Sequence, residues 1–142
     1  MRPLLFALIT LGCAACFLPS DVRAEPCLDL ASQGSQATFS GRLTIQLFAG
    51  PPNYESIANG DAEESALILE LPARQCAADG GMFIDPTDTF DRVQISTLKP
   101  DLMRVLSSAV GRQVTVRGEA FGAHTGHHHA PLVMLATEVT VR

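Results

Sequence analysis

"PDLMRVLSSAVG" (residues 100–111) is the stretch on which the fold turns. Leu102, Val105, Leu106, Ala109 and Val110 recur at helical spacing, Pro100 and Asp101 suit a first turn, and Gly111 suits a stop. It is the one convincing helix in the chain. Everything around it alternates with the period of a strand.

"TFSGRLTIQLF" (38–48) places Phe39, Leu43, Ile45 and Leu47 on one face, with Ser40, Arg42, Thr44 and Gln46 on the other. "ALILEL" (66–71) and "RVQIS" (92–96) precede the helix; "RQVTVRGEAF" (112–121) and "LVMLATEVTV" (132–141) follow it. In the last, Val133, Leu135, Val139 and Val141 define the expected apolar face. The order is strand, strand, strand, helix, strand, strand. That order predicts a mainly β protein: a small five-stranded OB-like Greek-key barrel with one helix between strands 3 and 4. Closure also removes the edges that short strands would otherwise expose. An open α+β sheet with the same elements is the alternative.

The first 24 residues read as a cleaved signal. Arg2 gives a basic start, Leu4 to Leu18 is apolar except for Thr10 and Gly12, and Val22 and Ala24 suit a cleavage site before Glu25. The run is shorter than the roughly 20 residues a membrane helix needs. A retained anchor, or lipid attachment at Cys13 or Cys16, is the alternative. The expectation is a periplasmic or secreted domain over residues 25–142, with no membrane span after signal removal. Without residues 1–24 the charge is 8 Lys+Arg against 14 Asp+Glu, a net of −6. So acidic a surface argues against nucleic acid, which needs clustered basic residues. Cys27 and Cys76 are left as a pair, and in an oxidising compartment they are expected to form a disulfide.

Two loops carry the unusual residues. "GPPNYESIANGD" (50–61) joins strands 1 and 2, and "AHTGHHHAP" (123–131), between strands 4 and 5, holds all four histidines of the chain. In an OB-fold these loops flank the ligand-binding face. Asn53, Tyr54, Glu55, Asp61 and Glu63 are the candidate ligand-binding residues, with Tyr54 as an aromatic platform. His124, His127, His128 and His129 are candidate ligands for Zn or Cu, or for Ni, since neutral imidazole suits borderline metals, with missing ligands coming from Asp61, Glu63, Glu64 or solvent. The plainer readings are a rigid proline-rich turn with Tyr54 packed on the barrel, and histidines that bond only to local backbone.

The two motifs "GPPNYESI…GD" and "AHTGHHH", the second after the Val114-x-Val116-x-Gly118 strand, resemble a bacterial exported family catalogued as domain of unknown function 4431. The resemblance runs from about Cys27 to Val141 and implies no established activity. Ala49 and "ARQC" (73–76) depart mildly from its pattern.

No H-E-x-x-H helix, G-x-S-x-G elbow or Ser-His-Asp order is present, so catalysis is the less favoured class. The expected function is a small exported binding or interaction module for a small-molecule, peptide or protein partner. The alternative is a dedicated metal-binding protein. A small metal-assisted hydrolase, using Glu55 or a metal-bound water, is third.

Overall fold

The computed structural model describes residues 26–32 and 34–142. The expected signal segment, residues 1–24, lies outside the described residues. Seven strands and one α-helix follow in chain order: β1 (Leu28–Asp29), β2 (Gln36–Ala49), β3 (Glu63–Gln75), β4 (Ala77–Ala78), β5 (Phe90–Ser96), α1 (Pro100–Ser108), β6 (Gln113–Gly122) and β7 (Leu132–Val141). The protein is mainly β. Five strands close a barrel in the order β2-β3-β5-β7-β6. β5 and β7 run parallel, and every other barrel pair is antiparallel. Among the described residues, no helix is long and apolar enough to cross a membrane.

Closure depends on β2 changing partners. Gln36 to Arg42 pair with β6, and Arg42 to Ala49 pair with β3. The handover falls beside Gly41, where a Cβ would overlap the Glu70 carbonyl. Gly118 makes the matching approach on β6, against the Leu135 carbonyl. Phe39, Leu43, Leu69, Val93, Val116 and Met134 fill the interior, and Leu106 of α1 and Ala109 just after it join the same cluster. Gly111, at φ 86°, turns the chain from α1 into β6 while its N–H reaches the Leu43 carbonyl at 2.7 Å.

β1 and β4 form a short parallel pair outside the barrel. The Cys27–Cys76 disulfide adjoins it and spans 49 residues of sequence. In the loop-entropy picture, that separation is worth about 4 kcal/mol.

Two expected faces need correction. Ile45 and Leu47 are 59% and 56% exposed, not in the core with Phe39 and Leu43. They share the inward parity, but β2 has already run past the barrel wall. In β7, Leu132, Met134 and Ala136 face the core before the role passes to Val139 and Val141. The pairing jumps from Gly118↔Ala136 to Arg117↔Glu138, so Thr137 is a bulge residue that reverses the alternation.

Gly41→Ala is expected to cost about 3 kcal/mol, the upper range for overpacking a closed site. The check is a lower urea midpoint at unchanged slope. A midpoint equal to that of the parent would mean the two strands can part there.

Candidate functional site

The loop after β2 is organised by a buried carboxylate. Asp61, 6% exposed, accepts the N–H groups of Asn53 (2.9 Å), Glu55 (2.8 Å) and Ser56 (2.9 Å), and the Asn53 side-chain amide at 3.0 Å. The Ser56, Glu55 and Asn53 N–H groups pull its pKa from 3.8 down to about 2. Asp61 therefore holds the loop from inside, while Asn53, Glu55 and Glu63 stand exposed around it.

This scaffold presents Tyr54 at φ 61°, a left-handed conformation uncommon for a bulky side chain. Its ring lies on Gly126 of the histidine loop, where a Cβ would come within 2.9 Å of ring carbons. Its hydroxyl lies 3.1 Å from His127 Nε2, and His127 Nδ1 lies 2.9 and 3.0 Å from the Glu64 oxygens. Burial pushes the Glu64 pKa up, but the His127 hydrogen bonds and the nearness of the His127 and His129 imidazoles outweigh it and leave it lowered. An ionised carboxylate only accepts, so Nδ1 of His127 carries a proton. In the neutral ring Nε2 then accepts from the Tyr54 hydroxyl.

His129 completes the set. Its imidazole is only 7% exposed and stacks on Phe48, with ring centroids 4.3 Å apart and planes 1° from parallel. Its Nε2 lies 3.3 Å from Glu64 Oε1, yet that buried nitrogen makes no hydrogen bond. Gln94 of β5 pins the loop backbone, donating to the His127 carbonyl at 3.0 Å and accepting from the His129 N–H at 2.6 Å. Ala130 packs on Ala66 and Ile68, with Phe48 beside them. The histidine loop thus lies over the outer surface of β2, β3 and β5.

The other two imidazoles face elsewhere. His124 stacks against Phe83 at 4.8 Å and donates from Nδ1 to the Gly122 carbonyl at 2.9 Å. His128 Nδ1 accepts the His124 N–H at 3.0 Å. Burial, then the charges of His124, His127 and His129, lower the His128 pKa, so its neutral form is favoured. Among the described residues, no three His, Cys, Asp or Glu side chains are arranged to hold a metal ion.

Three contributors were not among the sequence-derived site candidates: Gln94, Phe48 and Asp79. Asp79 orders the next loop as Asp61 orders the first. It accepts four N–H groups, from Gly81, Met82, Phe83 and Ile84. Burial raises its pKa and those bonds more than offset the rise. Asp79-Gly80-Gly81 was its only signal. Phe83, held there, lines a cavity of 220 Å³ with Ile84, Asp88, Phe90, Ala123 and Leu132.

Carboxyls whose folded pKa is depressed stabilise the fold above their unfolded value and lose that contribution as pH falls. For Asp61 the window runs from 3.8 down to about 2. Melting temperature is therefore expected to drop across this window. Asp61→Asn should melt several degrees lower at neutral pH and show a shallower acid slope. An unchanged slope would place the acid sensitivity in other groups.

No curated protein matches the chain. Among solved structures, a small single-stranded DNA-binding protein from Streptomyces coelicolor is similar over 78% of this chain and 96% of its own, with 15% identity and a TM-score of 0.42. Residues 92–140, from β5 through the histidine loop into β7, match the model of the family that the sequence resembles, described as a domain of unknown function, DUF4431.

Proposed function

We propose that the chain is an exported OB-like Greek-key barrel that serves as a binding or interaction module. Its ligand face is the rim shared by the 50–62 and 123–131 loops. The observation that carries this reading is the Tyr54–His127–Glu64 chain of hydrogen bonds, which joins loops 73 residues apart and leaves the His127 side chain 60% exposed. Polar atoms held in place before a ligand arrives lose little entropy on binding. Exposed Glu55 and Glu63, beside Glu64, favour a small molecule or peptide with a cationic or hydrogen-bond-donating group.

The test is an amide chemical-shift survey of isotope-labelled protein against defined basic peptides and amines. A binder should shift residues 53–55, 63–64 and 124–129. Tyr54→Phe should weaken it about tenfold, the scale of one lost hydrogen bond of roughly 1.4 kcal/mol, with the melting temperature nearly unchanged. Binders whose shifts fall wholly on other surfaces would sink the assignment.

A second reading, metal binding, is favoured by one observation. The His129 Nε2 is buried without a hydrogen bond, and His127 Nδ1 meets the same Glu64 carboxylate. Glu64, His127 and His129 would supply the donors, after a small closing movement, with Zn or Cu as the ion. Calorimetric titration of tag-free protein is expected to give 1:1 binding that His127→Ala/His129→Ala abolishes while His124→Ala/His128→Ala spares it. Binding that is weak, or equally lost in both double variants, removes this reading.

A further inference from the structure

The loop between β4 and β5 meets the neck of the histidine loop, and the cavity of 220 Å³ lies between them. Four apolar side chains wall it: Phe83, Ile84, Phe90 and Leu132. None of its lining belongs to the 50–62 loop, so it is separate from the Tyr54–His127 rim. The walls are fixed without a ligand. Asp79 holds the backbone of residues 81–84 through four N–H groups. Gly122 lets Phe83 and Ile84 settle on β6, since a Cβ there would come within 2.8 and 2.7 Å of them. Ala123 and Pro131 also line the cavity, and the Ala123 N–H closes the neck by donating to the Pro131 carbonyl at 3.0 Å. Phe90 is buried in the barrel core, edge-on to Phe39. Phe83, by contrast, is 54% exposed. An apolar ring held half in water gains by being covered.

The rest of the lining is polar and acidic. It consists of Asp85, Asp88 and Thr89, and the whole lining contains no lysine, arginine or histidine. Asp85 Oδ1 accepts the Thr87 hydroxyl at 2.7 Å and its N–H at 2.8 Å, and these bonds lower the Asp85 pKa. Among the described residues, Asp85 Oδ2 has no partner. Asp88 is exposed and bonds through its backbone, its N–H reaching the Asp85 carbonyl at 3.0 Å. Arg74 donates to Thr89 Oγ1 at 2.7 Å, but it lies outside the lining and pairs with Asp91 at 3.3 Å.

We propose that this cavity is a second binding site, for a small arylalkyl ammonium, with its ring against Phe83 and Phe90 and its charge at Asp85 and Asp88. Volume limits the guest. An apolar cavity of about 150 Å³ takes one benzene. The 220 Å³ here therefore hold one ring and a short carbon linker, and no larger partner. Two phenyl walls favour an aromatic ring through edge and offset contacts. The two carboxylates, with the Phe83 ring in the same lining, favour an ammonium over a neutral or anionic group.

The experiment is an amide chemical-shift titration of isotope-labelled protein with phenethylamine. Butylamine, which lacks the ring, and hydrocinnamate, which reverses the charge, are titrated beside it. Phenethylamine is expected to saturate with a Kd of about 1 mM or below. It should shift Ile84, Asp85, Asp88, Thr89, Ala123 and Leu132. Both comparison compounds should bind at least about tenfold more weakly. Asp88→Lys should reverse the order of phenethylamine and hydrocinnamate at an unchanged melting temperature, and Asp88→Asn should narrow the gap between them several-fold. The proposal is overturned by no saturable shift at these residues, by equal binding of the two aromatic compounds, or by an order that Asp88→Lys leaves unchanged. Shifts confined to residues 53–55 and 63–64 place the amine at the rim and also overturn it. Shifts confined to the cavity support this site and count against the rim.

Discussion

At Gly41 two strands approach so closely that the Glu70 carbonyl occupies the space a side chain would need. The rest of the molecule depends on that crossing. A strand bonded on both sides has to release one neighbour to curl a sheet into a barrel, and β2 does so beside this glycine, passing from β6 to β3. Gly118, at the bulge opposite Thr137, gives β6 and β7 the matching bend. A bulky residue at either site would leave an open sheet with bare edges, and the helix would have no closed end to cap with Leu106 and Ala109.

The handover also creates the candidate site. β2 has 14 residues and β3 has 13, against 7 in β5, so the β2–β3 ribbon outruns the wall it belongs to. A two-stranded ribbon alone is marginally stable in water. Here the histidine loop steadies it, with Ala130 packed against Ala66 and Ile68 and His129 stacked on Phe48. Asp61 sets the backbone that holds Tyr54 in its left-handed conformation, Tyr54 lies on Gly126, and the Glu64 carboxylate meets His127 and His129. Each contact assumes the one before it. Loss of the Asp61 carboxylate would therefore be felt at the histidines, on the far side of the ribbon.

Much of the architecture was legible in the residues. The helix period at 100–111, the position of β7 and the Cys27–Cys76 pairing could all be read directly, because each depends on local spacing or on simple pairing of cysteines. Ile45 and Leu47 could not, since alternation reports which side of a strand a residue takes and not whether anything lies on that side. Leu135 misled for a related reason, and Val133 is buried but outside the barrel cluster: one extra residue at Thr137 reverses parity, and no composition signal marks it. The loops were placed correctly as neighbours, but their division of labour was hidden. Asp61 looks like a surface carboxylate until the N–H groups that it collects are seen. Four consecutive-looking histidines separate into two pairs because the turn at Thr125–His128 sends their rings in opposite directions. Gln94, a polar residue on a barrel strand, gave no sign that it clamps a loop 33 residues away.

The two faces of the ribbon carry different consequences of the same surplus length. On the even-numbered face, Phe48, Ala66 and Ile68 are covered by the histidine loop, whose rim is polar and exposed. On the odd-numbered face, Ile45 and Leu47 have no such cover, and the backbone beside them is unpaired. A chain with this net charge and a single lysine has little basic side-chain material with which to guard an edge. Arg42 is the nearest positive residue on β2, and it stands at the closed end of the edge, where it guards nothing. The arrangement is economical if the edge is meant to be occupied and costly if it is not, since an unguarded apolar edge invites aggregation.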